Sequence, residues 1–235
     1  MLRLDEDQRA WQRSVRGLDP ALAGRNYGRM FRSPTLFEDM VKTMTSCNVT
    51  WRNTITMNRL LCEHVGDGGF PTPRQVIAFG TDALRTRCKV GYRAERIVRL
   101  AERFGEDDQL QRELEDDAAE TGVIYERLLK LHGIGPYAAG NICHLLGRYE
   151  RLAIDSETYR HFSQHHRVPR PAAKDLAGLK RFNQQITEHY HRYQPYAFKA
   201  YWFELWSDYE ARFGRAWTWD RDTTGTRFTA AVLQP

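Results

Sequence analysis

Two glycines separated by one apolar residue and followed at once by proline, Gly133-Ile134-Gly135-Pro136, constrain this chain more than any other feature. A tight turn between helices needs a residue at positive φ, which glycine reaches without steric cost. Pro136 suits the first position of a helix, where its missing N–H is no loss. The spacing predicts one helix over 123–131, a turn, and a second helix over 136–146. Amides around Gly133 to Tyr137 then point outward at a helix N-terminus, a ready anion site. A phosphodiester is the obvious long-chain anion. Shortly downstream, Ala153-Ile154-Asp155 places a carboxylate where it caps a further helix, predicted over 156–165.

Helical signals dominate elsewhere in the chain. Ser33-Pro34 has the pattern of a cap followed by a first-turn proline, and Leu36, Phe37, Met40, Val41 and Met44 then recur on one face. Thr72-Pro73 repeats the pattern before Val76, Ile77 and Phe79, and Gly80-Thr81-Asp82 ends that helix and opens a short one. Residues 92–104 form an amphipathic pattern stopped by Gly105. The acidic stretch 106–119, with Glu106, Asp107, Asp108, Glu113, Glu115, Asp116 and Asp117, reads as a solvated face or loop away from any phosphate. Long helices are predicted over 180–191 and 196–213. No run of alternating β-branched residues reads as a sheet. The expected fold is all-α, two helical lobes with a cleft between them and the hairpin at that cleft.

At 235 residues the chain is long enough to bury a sizeable core, and its net charge of +5 favours an anionic partner. No apolar run approaches the ~20 residues that span a bilayer. The charged start, Met1-Leu2-Arg3-Leu4-Asp5-Glu6-Asp7, does not read as a secretory signal. Cys47, Cys62, Cys88 and Cys143 form no C-x-x-C pair, so neither a zinc ribbon nor a four-cysteine cluster is expected. Reduced thiols point to the cytosol, meaning the nucleoid region of a bacterium or the nucleus of a eukaryote. His161 and His165 lie four apart beside His166 but lack the intervening Glu of a metalloprotease, and read as surface or phosphate-facing.

The segment from Leu131 to Ala139 with Asp155 resembles the helix-hairpin-helix, Gly/Pro-rich loop and aspartate motif of the DNA glycosylase superfamily. Two further segments, Leu36 to Asn48 and Gly91-Tyr92-Arg93-Ala94-Glu95-Arg96-Ile97, are similar to segments of its 8-oxoguanine and alkylated-base branch. The resemblance covers roughly residues 30–205. It implies a catalytic domain over 30–235 preceded by a helical extension over 1–29. The β-rich domain that some relatives carry first is then either missing or lost from a fragment.

The resemblance also implies roles. Asp155 would stabilise the oxocarbenium-like sugar as the C1′–N bond breaks and would orient a water. Its plainer role is the helix cap. Tyr137 stands where relatives that also cut the backbone carry a Schiff-base Lys, and a phenol forms no imine. Lys130 lies before the turn, facing phosphate or solvent. A monofunctional glycosylase is therefore expected, with Tyr137, Trp51 and Trp202 in the base pocket and Asn48, Tyr92 and Arg93 filling the gap left by a flipped base. Arg93 would donate as a fork to the orphaned base. Gly133, Gly135 and Tyr137 would meet the DNA backbone. No cofactor is required, though the carbonyls of Leu129, Leu131 and Ile134 would hold a structural Na+ or K+.

The expected partner is duplex DNA with a damaged base, bound by a monomer. The missing Lys leans the substrate toward an alkylated purine, with an 8-oxoguanine-type enzyme as the alternative. A non-catalytic hairpin that only binds DNA, and an inactive helical fragment, are the competing readings. Asp155 separates the enzyme from the pure binder, because a binder gains nothing from a carboxylate near phosphate.

Overall fold

Local capping chemistry sets most helix boundaries in the computed structural model, which describes residues 6–25, 29–105 and 109–220. In chain order the helices are α1 (Gln8–Leu18), α2 (Pro20–Gly24), α3 (Leu36–Ser46), α4 (Trp51–His64), α5 (Pro73–Phe79), α6 (Thr81–Arg87), α7 (Arg93–Gly105), α8 (Gln109–Leu114), α9 (Thr121–Leu129), α10 (Pro136–Leu145), α11 (Ser156–His165), α12 (Leu176–His191) and α13 (Ala197–Phe213). No strand occurs among the described residues, so the fold is all-α as expected. No described helix is long and apolar enough to cross a membrane. The expectations for Met1 to Asp5, and for Glu106, Asp107 and Asp108, lie outside the described residues.

Several boundaries follow from single side chains. The Thr72 hydroxyl and Gln75 close a reciprocal capping box at α5, as the Thr-Pro pattern predicts. The cap of α3 is Thr35, not Ser33; the Ser33 amide instead donates to the buried Asp39 carboxylate at 2.7 Å. Arg32 also reaches Asp39, at 3.3 Å, and pairs with Glu115 at 3.0 Å. Helix α12 begins four residues earlier than expected because Asp175 caps it through the Gly178 amide. The acidic stretch is not wholly loop: α8 forms within it and buries Leu110 and Leu114.

The described residues divide into two units, one spanning Phe31–Leu146 and the other combining the described parts of 2–30 and 147–235. In the first, α3 packs against α4, α7 and α10, and α7 packs against α5, α6 and α8. Leu36, Phe37, Met40, Val41 and Met44 are all buried, so the expected apolar face of α3 is the centre of this core. Burying each such side chain is worth roughly 1.5–3 kcal/mol.

The second unit takes its first helices from the N-terminal extension. Trp11 of α1 is buried edge-on to Tyr196 at 5.8 Å and lies 5.9 Å from Phe203. The fully buried Lys199 of α13 pairs with Glu6, bonds Gln8 at 3.3 Å, and sits 4.4 Å over the Tyr149 ring. Phe162, Phe182, Ile186 and Tyr190 complete this core from α11 and α12. The four cysteines form no disulfide.

Candidate functional site

The hairpin in the first unit forms as its glycines require. After α9, the Leu131 amide donates to Leu128 O at 3.0 Å and the Ile134 amide to Leu131 O at 3.1 Å. Gly133 between them has φ +85°. Ile134 is buried and pins the turn to the core. Gly135 precedes Pro136 with no side-chain cap on the α10 N-terminus, so the first-turn amides meet no capping side chain. A Cβ at Gly135 would touch nothing within 4 Å, so the backbone there is open to approach. One turn into α10, the Asn141 amide donates to the Thr43 hydroxyl at 3.0 Å and ties the helix to α3. Tyr137 is half-buried in the first turn, and Lys130 is exposed. Of the three carbonyls expected to hold a cation, that of Leu131 already accepts the Ile134 amide, leaving one lone pair for another partner.

The two other motif segments meet this hairpin through arginines. A Cβ on Gly133 would run into the aliphatic stem of Arg96. The Arg96 guanidinium lies 4.8 Å from the Tyr92 ring centroid, and that of Arg93 lies 4.5 Å from it. Arg93 Nε donates to Met44 O at 3.1 Å, and a second guanidinium nitrogen donates to the Cys47 carbonyl. A continuous path thus runs from the glycine turn through Arg96, Tyr92 and Arg93 to the loop that carries Asn48. Asn48 is exposed, with φ +51°, a conformation asparagine tolerates better than most residues. Tyr92 and Trp51 are each 51 % exposed, Trp51 at the first position of α4 behind its Thr50 cap.

Arg93 departs from its expected role. It is only 6 % exposed, and its donors go to carbonyls at the C-terminal end of α3. A cation there also complements the helix dipole. It shapes the Asn48 loop rather than presenting a free fork. The sequence carries the Arg but not the carbonyls that capture it, because they lie on a helix more than forty residues away.

In the second unit, Asp155 is the N-cap of α11, matching the predicted helix start. Its Oδ1 accepts the Thr158 amide at 2.8 Å and the Thr158 hydroxyl at 2.9 Å, and its own amide donates to that hydroxyl at 3.2 Å. Both capping bonds end on Oδ1. The Thr158 hydroxyl also lies 3.0 Å from the Tyr201 hydroxyl, which is buried. Burial pushes the Asp155 carboxyl above its ordinary value, with the nearby Glu157 adding to the rise; the Thr158 bonds oppose it. Thr158 and Tyr201 are parts of this site that sequence reasoning missed, although Asp-x-x-Thr is itself a capping-box signal.

Trp202 is half-buried in an aromatic series along α13, stacked on Phe198 at 5.7 Å and followed by Trp206 at 6.2 Å. The histidines correct an expectation. His161 is fully buried, with Nε2 2.8 Å from Glu204 Oε1, so it is neither surface nor phosphate-facing. His166 Nε2 lies 3.2 Å from the same oxygen. The hidden partner, Glu204, comes from α13.

A cavity of about 680 Å³ in the first unit is lined by Arg99, Arg103, Arg127, Lys130 and His132 among others, beside the hairpin. A shallower one in the second unit, about 310 Å³, lies by Arg170, Arg181 and Phe182. Asp155 lines neither.

No protein-family model matches this chain. No curated protein matches it in sequence either. Solved structures do match. An 8-oxoguanine glycosylase/lyase of Clostridium acetobutylicum, solved with double-stranded DNA carrying cytosine opposite 8-oxoguanine, is 18 % identical with a TM-score of 0.67, over 89 % of this chain and 73 % of that one. A 3-methyladenine DNA glycosylase of Schizosaccharomyces pombe, in complex with abasic DNA, is 16 % identical with a TM-score of 0.66, over 88 % of this chain and 100 % of that one. A 3-methyladenine DNA glycosylase of Archaeoglobus fulgidus is 22 % identical with a TM-score of 0.63, over 88 % of this chain and 71 % of that one. This chain has the helical fold of those DNA glycosylases.

Proposed function

We propose that this protein is a monofunctional DNA glycosylase that removes a damaged purine, with an alkylated base preferred. The observation that carries the reading is the path from Gly133 through Arg96, Tyr92 and Arg93 to the Asn48 loop. It joins three segments, far apart in the chain, that resemble the glycosylase pattern. The glycosylase fold of the neighbours described above supports it.

In this reading the open backbone at Gly135 and the first-turn amides of α10 receive a DNA phosphate, and the net positive charge draws the duplex in. The carbonyls of Leu129, Leu131 and Ile134 suit a monovalent cation that bridges phosphate and turn. Flipping the damaged nucleotide costs a few kcal/mol of stacking and pairing, least where damage has already weakened them. Exposed Tyr92 and Asn48 fill the vacated space, and Trp51 and Tyr137, in the first unit, and Trp202, in the second, are the aromatics offered for stacking on the base.

The chemistry falls to Asp155. As the C1′–N bond breaks, its electron pair leaves with the base and the sugar becomes cationic. Asp155 stabilises that cation through its charge and orients a water. The water oxygen bonds to C1′, and its proton passes to the carboxylate. Oδ1 is held by Thr158, so Oδ2 is the oxygen suited to this work. Tyr137, standing in for the Lys of lyases, offers no amine, so the strand stays intact.

The test is a panel of duplexes each carrying 3-methyladenine, 7-methylguanine, hypoxanthine, 8-oxoguanine or uracil, scored separately for free base and for strand breakage before alkali. Release without breakage is expected. Covalent trapping by borohydride would refute the monofunctional assignment. Tight binding with no release from any lesion would leave only a DNA-binding module.

A further inference from the structure

Two histidines at the C-terminal end of α11, His165 and His166, face one carboxylate of α13. His165 Nε2 lies 3.8 Å from Glu204 Oε2 and His166 Nε2 lies 3.2 Å from Glu204 Oε1. One donor atom from each of the three residues falls within 4.8 Å of the others. Two ligands of a tetrahedral Zn2+ at about 2.1 Å are themselves about 3.4 Å apart. The His166 separation is close to that spacing, and the His165 separation, to the other carboxylate oxygen, is about 0.4 Å longer, a shift that the half-exposed His165 ring can take up.

We propose that His165, His166 and Glu204 form a divalent-cation site that takes Zn2+, with water in the fourth position. Two imidazoles and a carboxylate are a donor set zinc accepts. The site has a supporting shell already in place. His161 Nε2, at 2.8 Å, and the Tyr190 hydroxyl, at 2.5 Å, both engage Glu204 Oε1 and fix the carboxylate plane. His161 Nδ1 faces Asp208 Oδ2 at 3.9 Å on its other side. His189 packs against His166 at 4.1 Å, and its Nε2 is buried without a hydrogen-bond partner among the described residues.

Two further features favour a cation. His165 and His166 sit at the C-terminal end of α11, where the helix dipole is negative. His165 is nearly half exposed, at 45 % of its side chain, which gives the ion a way in. Once bound, the ion joins α11 to α13. Its opposite end is the Asp155 cap, so occupancy stiffens the helix that carries the carboxylate. This site is independent of whether the protein excises bases.

The experiment uses the full chain, stripped with a chelator and dialysed, then titrated with zinc chloride by calorimetry without DNA. Cobalt(II) in place of zinc reports the geometry through its visible absorption. One equivalent of Zn2+ is expected, with a rise in thermal midpoint and tetrahedral cobalt bands. His165→Ala, on an exposed side chain, is expected to weaken binding about tenfold or more. Glu204→Gln should do the same, and if it fails to fold, His165→Ala decides alone. No saturable binding, or binding that His165→Ala leaves unchanged, overturns the site.

Discussion

A Cβ added to Gly133 would lie 2.7 Å from Cγ of Arg96 and closer still to its Cδ, whereas a Cβ added to Gly135 would meet nothing. The two glycines of the turn therefore answer to different demands. Gly133→Ala has both the crowding and a φ of +85° against it. It should lower stability by about 1–2 kcal/mol or more, measured by urea unfolding. Gly135→Ala should leave unfolding unchanged and weaken duplex binding, because only the approach of a phosphate needs that space. Equal stability losses in both would show that the turn is not packed this way.

Asp155→Asn keeps an oxygen for the Thr158 amide, whereas Asp155→Ala loses the cap. The Ala variant should be less stable by about 1 kcal/mol, and the Asn variant should not. Both should abolish base release while binding duplex at least as well as the parent. The folded carboxyl is raised by burial, so the charged parent is at a disadvantage at neutral pH that fades as pH falls through that raised value toward 3.8. The stability lead of Asp155→Asn over the parent should accordingly shrink on acidification. Release by Asp155→Asn at the parental rate would remove Asp155 from the chemistry.

Glu157 lies two residues beyond Asp155 and is held by Arg160 at 2.5 Å and by the Tyr209 hydroxyl at 2.6 Å. After burial, its charge is the second influence raising the Asp155 carboxyl. Base release should fall as pH drops through that raised value, because protonation removes the anion the transition state needs. Glu157→Gln should move this acid limb to lower pH. A limb that stays in place, in a variant whose circular dichroism matches the parent, would assign it to another group.

Replacing Arg93 with Met removes its bonds to the Met44 and Cys47 carbonyls. The expected loss is about 1.5–3 kcal/mol in unfolding free energy. The slope of log affinity for DNA against log salt should not change, since a buried guanidinium neutralises no phosphate. A slope reduced by about one, with stability intact, would mean that Arg93 contacts the backbone.

What the sequence made legible was local. The turn at Gly133 and the cap at Asp155 depend on φ and on bonds spanning three residues, so residue type and spacing carry the information. Helix α4 was not anticipated because a threonine holds one place on its buried face, Thr54, Met57, Leu60 and Leu61, and blurs the apolar rhythm. Helix α8 hid under its acidic composition. The burial of Arg93 and of His161 depends on partners supplied by distant helices, Met44 and Cys47 for one and Glu204 for the other. No periodicity along the chain records such meetings.

The core around Trp11 has a consequence for how the protein is made. Its partners Tyr196 and Phe203 lie near the far end of the chain, and Lys199 closes on Glu6 from the same helix. A ribosome releases α1 long before α13 exists, so α1 emerges with nothing to bury its tryptophan. The core of residues 31–146, by contrast, is drawn from one contiguous stretch and can close as that stretch emerges. Synthesis should thus complete residues 31–146 first, and α1 should bury its tryptophan only once α13 has emerged, leaving α1 a client for chaperones in the interval.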